Sequence, residues 1–179
     1  LPSTAADAKG LLTTAIRMED PVLFLEHKAL YRAASARTPT PPENYTLPFG
    51  EARVAREGSD LTIISYGMMV QKSLNVAKEM EKEDGVDVEV IDLRTIVPLD
   101  SEAILESVKK TNRALVVYED QEFIGFGAEI CAQIADDAFK YLDAPIRRVA
   151  GEFTPIPFAH SLERAVLPSD EGILEAARD

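Results

Sequence analysis

Three short apolar runs constrain the fold of this chain more than any other feature in it. Leu61–Ser65, Val88–Leu93 and Ala114–Tyr118 are dominated by Leu, Ile and Val and are bounded by polar or turn-forming residues. Runs of that length suit strands buried on both faces. Between them lie stretches with helical spacing: Val70, Leu74, Ala77 and Met80, then Ile104, Leu105 and Val108. A crossover of helical length makes the strands it joins parallel neighbours with a right-handed connection. Upstream, Ala52 and Val54 alternate with Arg53 and Ala55 before a Gly58-Ser59 turn, which predicts a half-exposed, antiparallel edge strand. The expected fold class is α/β: an open, mainly parallel sheet with helices on both faces and one antiparallel edge strand.

The same logic carries to the end of the chain. Gly85 ends the first helix of this unit, and Asp100 is a good N-cap for the second, with Leu99 placed to staple onto Ile104. Gly125-Phe126-Gly127 opens a longer helix with Ile130, Ile134, Ala138 and Leu142 on one stripe. Ile146–Val149 reads as a last short strand, Thr154–Phe158 as a rigid irregular segment, and Ser169 as the cap of a final helix.

The first fifty residues read differently. Ser3 or Thr4 caps a helix bearing Ala8, Leu11, Leu12, Ala15 and Ile16, and Val22–Leu25 predicts a buried parallel strand. Residues 33–50 carry Pro39, Pro41, Pro42 and Pro48, so they predict a stiff linker that is neither helix nor central strand. One helix and one strand are too few for a domain, so residues 1–32 read as the tail of a preceding α/β domain. LPSTAADAKG has no initial Met and no signal-peptide pattern, and a fragment or processed piece is expected.

Bulk properties exclude some functions. The net charge of −12 opposes binding to nucleic acid or to an anionic membrane surface. Cys131 is the only cysteine, so no internal disulfide forms and a reducing compartment is expected.

Candidate chemistry centres on the carboxyl ends of strands, where open α/β sheets meet ligands and partners. In EVIDLRTIVPLD, Asp92 and Arg94 share a face of the strand, and an ion pair fixing the turn is favoured over ligand binding. Gly125-Phe126-Gly127 lacks the third glycine and the acidic ribose reader of a dinucleotide loop, and reads as a tight turn onto a helix. His27 lies just past a predicted strand as either an acid/base group or a structural histidine. Glu119, Asp120 and Glu122 form an acidic loop or a hard-cation site. Cys131, in an apolar helical pattern, reads as a core residue.

Five strings together, PSTAADAKGLL, DPVLFLEHKALYR, REGSDLTIISYG, EVIDLRTIVPLD and DAPIRRVAGEFTPIPFA, resemble the β-subunit of the thiamine-diphosphate-dependent 2-oxoacid dehydrogenase first component. That group includes the pyruvate, branched-chain 2-oxoacid and acetoin dehydrogenases. The resemblance implies that residues 1–32 are the tail of a pyrimidine-binding domain, 33–50 a linker, and 51–179 a transketolase-type C-terminal domain. It implies a heterotetramer, with an α-subunit and a second β-subunit as partners, and docking of a dihydrolipoyl acyltransferase core. The whole enzyme is then an oxidoreductase that decarboxylates a 2-oxoacid and transfers the acyl group to lipoyl. It uses thiamine diphosphate and magnesium that this chain does not bind alone. No catalytic or cofactor-binding residue is carried over, because the family's activating glutamate, histidine loop and G-D-G motif have no match here. Potassium, held in some members by backbone carbonyls, would meet Ala15, Met18 and Asp20. A cytoplasmic location is implied, or the mitochondrial matrix in a eukaryote. Two other readings are the C-terminal domain of a single-chain transketolase or deoxyxylulose-phosphate synthase, and a stand-alone, non-enzymatic interaction domain.

Overall fold

The structure is a computed structural model that describes residues 1–179. Its sheet has five strands: β1 (Arg53–Arg56), β2 (Leu61–Ser65), β3 (Val88–Asp92), β4 (Ala114–Gln121) and β5 (Arg147–Gly151), in the order β1-β3-β2-β4-β5. β1 runs antiparallel to β3, and every other pairing is parallel. The expected fold class is therefore the observed one. Every residue of β2 and β3 is buried, which explains why their sequences are apolar runs rather than alternations.

Helices α2 (Met68–Glu83) and α6 (Asp170–Arg178) cover one face, and α3 (Ser101–Thr111) and α4 (Gly127–Asp137) cover the other. The pleat sorts neighbours between the two layers. Ile63, Val90 and Val117 pack with Met69, Val76, Met80 and Ile173. Ile64, Ile91 and Val116 pack with Ile104, Val108, Ile130 and Ile134. Asp100 caps α3 as expected, accepting from Ala103 N at 3.1 Å, and its other oxygen accepts from Ala52 N at 2.8 Å. One side chain thus starts a helix and holds the approach to the edge strand. Ser169 caps α6 through Gly172 N at 3.0 Å. A short helix, α5 (His160–Val166), precedes α6.

Three expectations are corrected. Val22–Leu25 is not a buried strand: it is irregular, and Leu23 is 85% exposed. A strand needs a neighbour for its backbone donors and acceptors, and no strand of this chain pairs with it. β4 runs three residues past Tyr118, so Glu119 and Asp120 belong to the strand; Gln121 pairs with Gly151 of β5 beyond a register shift. β5 itself is displaced toward Gly151 from the expected Ile146–Val149. Residues 33–50 hold only the short 3-10 turn Ala34–Ala36, as the prolines require. α1 (Ala5–Arg17) starts at Thr4, whose Oγ1 accepts from Asp7 N at 3.2 Å.

Glycines at two helix starts have opposite packing. A Cβ on Gly127 would lie 2.0 Å from the buried Tyr118 ring, whereas one on Gly172 would meet only Ser169 Oγ at 3.5 Å. Gly127→Ala should therefore destabilise the fold by about 1–3 kcal/mol through overpacking. Gly172→Ala should be neutral or stabilising by up to about 1 kcal/mol from helix propensity. Denaturant midpoints of the two variants check both signs.

Candidate functional site

The carboxyl ends of the parallel strands gather the chemistry-bearing residues into two clusters. The first lies beyond β3. Asp92 ends that strand with no solvent exposure, so its charge requires partners. Ser3 Oγ donates to Asp92 Oδ2 at 2.5 Å and Arg53 Nη2 donates to the same oxygen at 2.9 Å. Asp7, also buried, receives Arg94 Nη2 at 2.8 Å and Arg53 Nη2 at 3.4 Å. Two carboxylates and two guanidiniums thus form one charge-balanced group, drawn from the N-terminal helix, the edge strand and the β3 turn. Gln71 Nε2 on α2 donates to the Ser3 carbonyl at 3.0 Å and seats the same segment on the sheet unit.

The expected Asp92–Arg94 ion pair does not form. The strand ends before Arg94, whose φ of 58° is left-handed. That turn sends the guanidinium to Asp7, and only the Arg94 backbone N–H reaches Asp92 Oδ1, at 3.1 Å. Burial raises the Asp92 carboxyl above its ordinary value, with the Ser3 and Arg53 hydrogen bonds opposing that rise.

The second cluster lies at the topological switch point. The chain leaves β2 for β3 on one side and later returns to place β4 on the other, so the crevice between the carboxyl ends of β2 and β4 is where open α/β sheets place ligands. Here Tyr66, Gly67 and Glu119 line a cavity of about 100 Å³, together with Glu26 and His27 from the N-terminal segment. His27 Nε2 lies 2.9 Å from Glu119 Oε2 and 3.1 Å from Oε1. The Glu119 hydrogen bond raises the His27 pKa, against a smaller lowering by burial. On the other side of His27 a cavity of about 340 Å³ runs along Thr4, Ala8, Tyr31 and Arg37. His27 is thus engaged with a carboxylate, and no nucleophile stands beside it.

The other sequence candidates resolve into packing. Asp120 accepts from the N–H groups of Gln121 and Phe126, and Glu122 lies 3.6 Å from Arg148. Glu119, Asp120 and Glu122 therefore do not converge, and no group of three or more His, Cys, Asp or Glu side chains is arranged to hold a metal ion. The residues of this chain do not fit a magnesium–diphosphate group, and no reaction step is assigned to them. Gly125 and Gly127 permit close approach to the Gln121 carbonyl and the Tyr118 ring. Cys131 packs against the core, and burial pushes its thiol up. Ala15, Met18 and Asp20 stand where α1 ends; the Ala15 carbonyl accepts from Met18 N at 3.3 Å.

Sequence reasoning missed Asp7, Arg53 and Ser3 as members of the first cluster. Ser3 read only as a helix cap, and Arg53 only as part of a half-exposed edge strand. It also missed an exposed apolar surface: Phe123 and Phe153 stack edge to face at 4.9 Å, beside exposed Ile124.

Comparison with known proteins sets these observations in context. Residues 50–173 match the family described as "Transketolase, C-terminal domain". The chain is 52% identical over 178 residues to a Bacillus subtilis protein named pyruvate dehydrogenase E1 component subunit beta, covering 99% of this chain and 54% of the relative. It is 49% identical over 179 residues to the protein of the same name from Staphylococcus aureus, covering 100% and 54%. The chain thus spans about half the length of these relatives. Its backbone superposes on a split-gene transketolase described as an inactive β4 tetramer, with a TM-score of 0.76 at 22% identity, over 99% of this chain and 54% of the other; this likeness is one of fold.

Removing Arg53 leaves the buried Asp92 charge without its guanidinium. Arg53→Ala should cost about 2–4 kcal/mol at neutral pH. Because losing Arg53 raises the Asp92 carboxyl further in the variant, the penalty grows as pH rises from the parent's folded value through the variant's, and shrinks in acid. Urea titrations of the variant and of an Arg53→Ala, Asp92→Asn double variant check this; the double variant should recover much of the loss at neutral pH.

Proposed function

The chain belongs to the transketolase C-terminal domain family, and from that premise we propose that it is the C-terminal portion of the β-subunit of a 2-oxoacid dehydrogenase first component. The observation that carries this reading is identity of 49–52% along essentially the whole chain to subunits named as pyruvate dehydrogenase E1 beta. That similarity includes residues 1–49, which lie outside the family match, and so favours a β-subunit over a single-chain transketolase or an isolated interaction domain. Residues 1–32 are then the tail of a pyrimidine-binding domain, 33–50 the linker, and 51–179 the transketolase-type domain. The absence of a strand at Val22–Leu25 fits this division, since that segment would find its pairing partners in the preceding domain.

In this reading the chain's own work is assembly. The four-charge group joins the tail to the sheet unit and so fixes one domain on the next. The exposed Phe123, Ile124 and Phe153 supply apolar surface of the kind that marks a subunit contact. The α-subunit and the second β-subunit are its proposed partners. A net charge of −12 suits docking of a basic domain of the dihydrolipoyl acyltransferase core. The whole enzyme would decarboxylate pyruvate and pass the acetyl group to lipoyl, with thiamine diphosphate supplying the electron sink from a site outside this chain. The carbonyls of Ala15, Met18 and Asp20 at the negative end of α1 remain a proposed potassium seat. No helix is long and apolar enough to cross a membrane, and a cytoplasmic enzyme is proposed.

Coexpression of the full-length gene product with its α-subunit tests the reading. The two should copurify and reduce an artificial acceptor in the presence of pyruvate and thiamine diphosphate. A product that copurifies with no second chain and lacks this activity would overturn it. Acyltransferase docking is checked separately: raising salt from about 50 to about 500 mM should weaken it by roughly tenfold or more through screening, and salt-independent affinity would rule out charge-guided docking.

A further inference from the structure

Three carboxylates of this chain are buried: Asp7, Glu89 and Asp92. A buried charge stands only with partners, and the partners differ in kind. Asp7 and Asp92 meet the guanidiniums of Arg53 and Arg94. Glu89 meets an ammonium, that of Lys110, through its Oε2. A guanidinium keeps its charge and is not a target of acyl transfer, whereas a lysine amine is. Glu89 is therefore the one buried carboxylate whose cation an acyl donor can neutralise. No other lysine stands in this position: Lys9 and Lys72 donate to proline carbonyls, and only Lys110 is ion-paired.

The pair sits at the amino ends of β2 and β3, opposite to where Ser3, Asp7 and His27 meet the sheet. Thr62 and Glu89 are neighbours in the parallel register. Ser107 Oγ of α3 donates to Glu89 Oε1 at 2.5 Å. Thr62 Oγ1 shares hydrogen bonds with Ser107 Oγ and Thr111 Oγ1, each at 2.7 Å. Gly58 closes the other side: its N–H approaches Glu89 Oε2 at 3.4 Å, and a Cβ there would lie 2.2 Å from the Val88 carbonyl carbon. The last turn of α3 is thus tied to a carboxylate that is shut away from water. The Lys110 side chain, by contrast, is 45% exposed, and its amine also lies 3.2 Å from the exposed Glu57. An acyl donor can reach it from solvent.

We propose that Lys110 is an acylation site: transfer of an acyl group from an acyl thioester to its Nζ removes the one cation that matches Glu89 and loosens the end of α3 from β2 and β3. In this step the ammonium first gives one proton to solvent. The neutral amine attacks the thioester carbonyl carbon, the C–N bond forms as the C–S bond breaks, and the departing thiolate takes a second proton from the nitrogen. The amide that results carries no charge. Burial lowers the Lys110 value, but the hydrogen bonds to Glu89 and Glu57 raise it by more, so the closed pair keeps the amine protonated. Acylation therefore proceeds from the opened pair, and the amide keeps the pair from closing again. The site is independent of the reaction that the assembled protein performs.

The full-length gene product with Lys109→Arg, which leaves Lys110 as the sole lysine of α3, tests the site. It is treated with acetyl-coenzyme A at about pH 8, where some of the amine is neutral, and followed by amide hydrogen exchange with peptide mass spectrometry. Acetyl groups should appear at Lys110. Peptides of α3 that carry one should exchange about tenfold or more faster than the same peptides unmodified, because a charge is left buried and unmatched. Lys110→Gln should reproduce the faster exchange and Lys110→Arg should not. Adding Glu89→Gln to Lys110→Gln should restore protection. Should Lys110→Gln fail to fold, the acetylated and unmodified peptides of the parent decide alone. No acetyl group at Lys110 when Lys140 is modified, equal exchange of modified and unmodified α3, or parent-like exchange in Lys110→Gln would overturn the proposal.

Discussion

A carboxylate with no access to water stands at the end of the third strand, and much of the N-terminal half of the structure is arranged to satisfy it. Asp92 cannot keep its charge without donors. Those it has come from three distant places: Ser3 ahead of α1, Arg53 on the edge strand, and the backbone of the Arg94 turn. The left-handed conformation at Arg94 lets the turn point one way and the guanidinium the other, toward Asp7. Such a group contributes less to net stability than its short distances suggest, because desolvating four charges offsets most of their attraction. What it does is join α1 to the sheet through Ser3 and Asp7.

The linker benefits from the same anchoring. Four prolines limit what residues 33–50 can adopt, but they do not say where the segment lies. Its path is set at its far end, where Leu47 N donates to the Gly10 carbonyl at 3.2 Å and Thr14 Oγ1 donates to the Leu47 carbonyl at 2.6 Å. A side chain on Gly10 would collide with Tyr45 and Leu47, so a glycine in mid-helix, ordinarily unfavourable, is what lets the linker close on α1. Between these ends Lys9 donates to the Pro41 and Pro42 carbonyls at 2.9 and 2.8 Å, and His27 meets Glu119 of β4.

The surface carries the remaining functional information. The sheet's interior is closed by two helical layers, and a cavity of about 100 Å³ opens at the switch point. What the unit offers outward instead is an aromatic and aliphatic patch at the ends of β4 and β5, on an acidic molecule.

The strands and most helices of residues 51–179 were legible from the sequence because each is buried on the face its periodicity declares: Leu61–Ser65, Val88–Asp92 and the caps Asp100 and Ser169 needed no tertiary knowledge. Val22–Leu25 misled for a physical reason. An apolar run states that a segment would be buried, not that a partner strand is present to bury it. Arg94 misled likewise, since sharing a strand face with Asp92 counts for nothing once the backbone turns left-handed between them. Ser3 lies 89 residues from Asp92 and Arg53 lies 39 residues from it, and short-range spacing carries no trace of such encounters. The sequence by itself determined the layered α/β architecture, the lack of α-helix or strand in residues 33–50 and the family, because these depend on local periodicity and on strings of residues. Only the tertiary structure decided which charges meet, since a buried ion group is chosen by the path of the whole chain through space and not by any stretch of it.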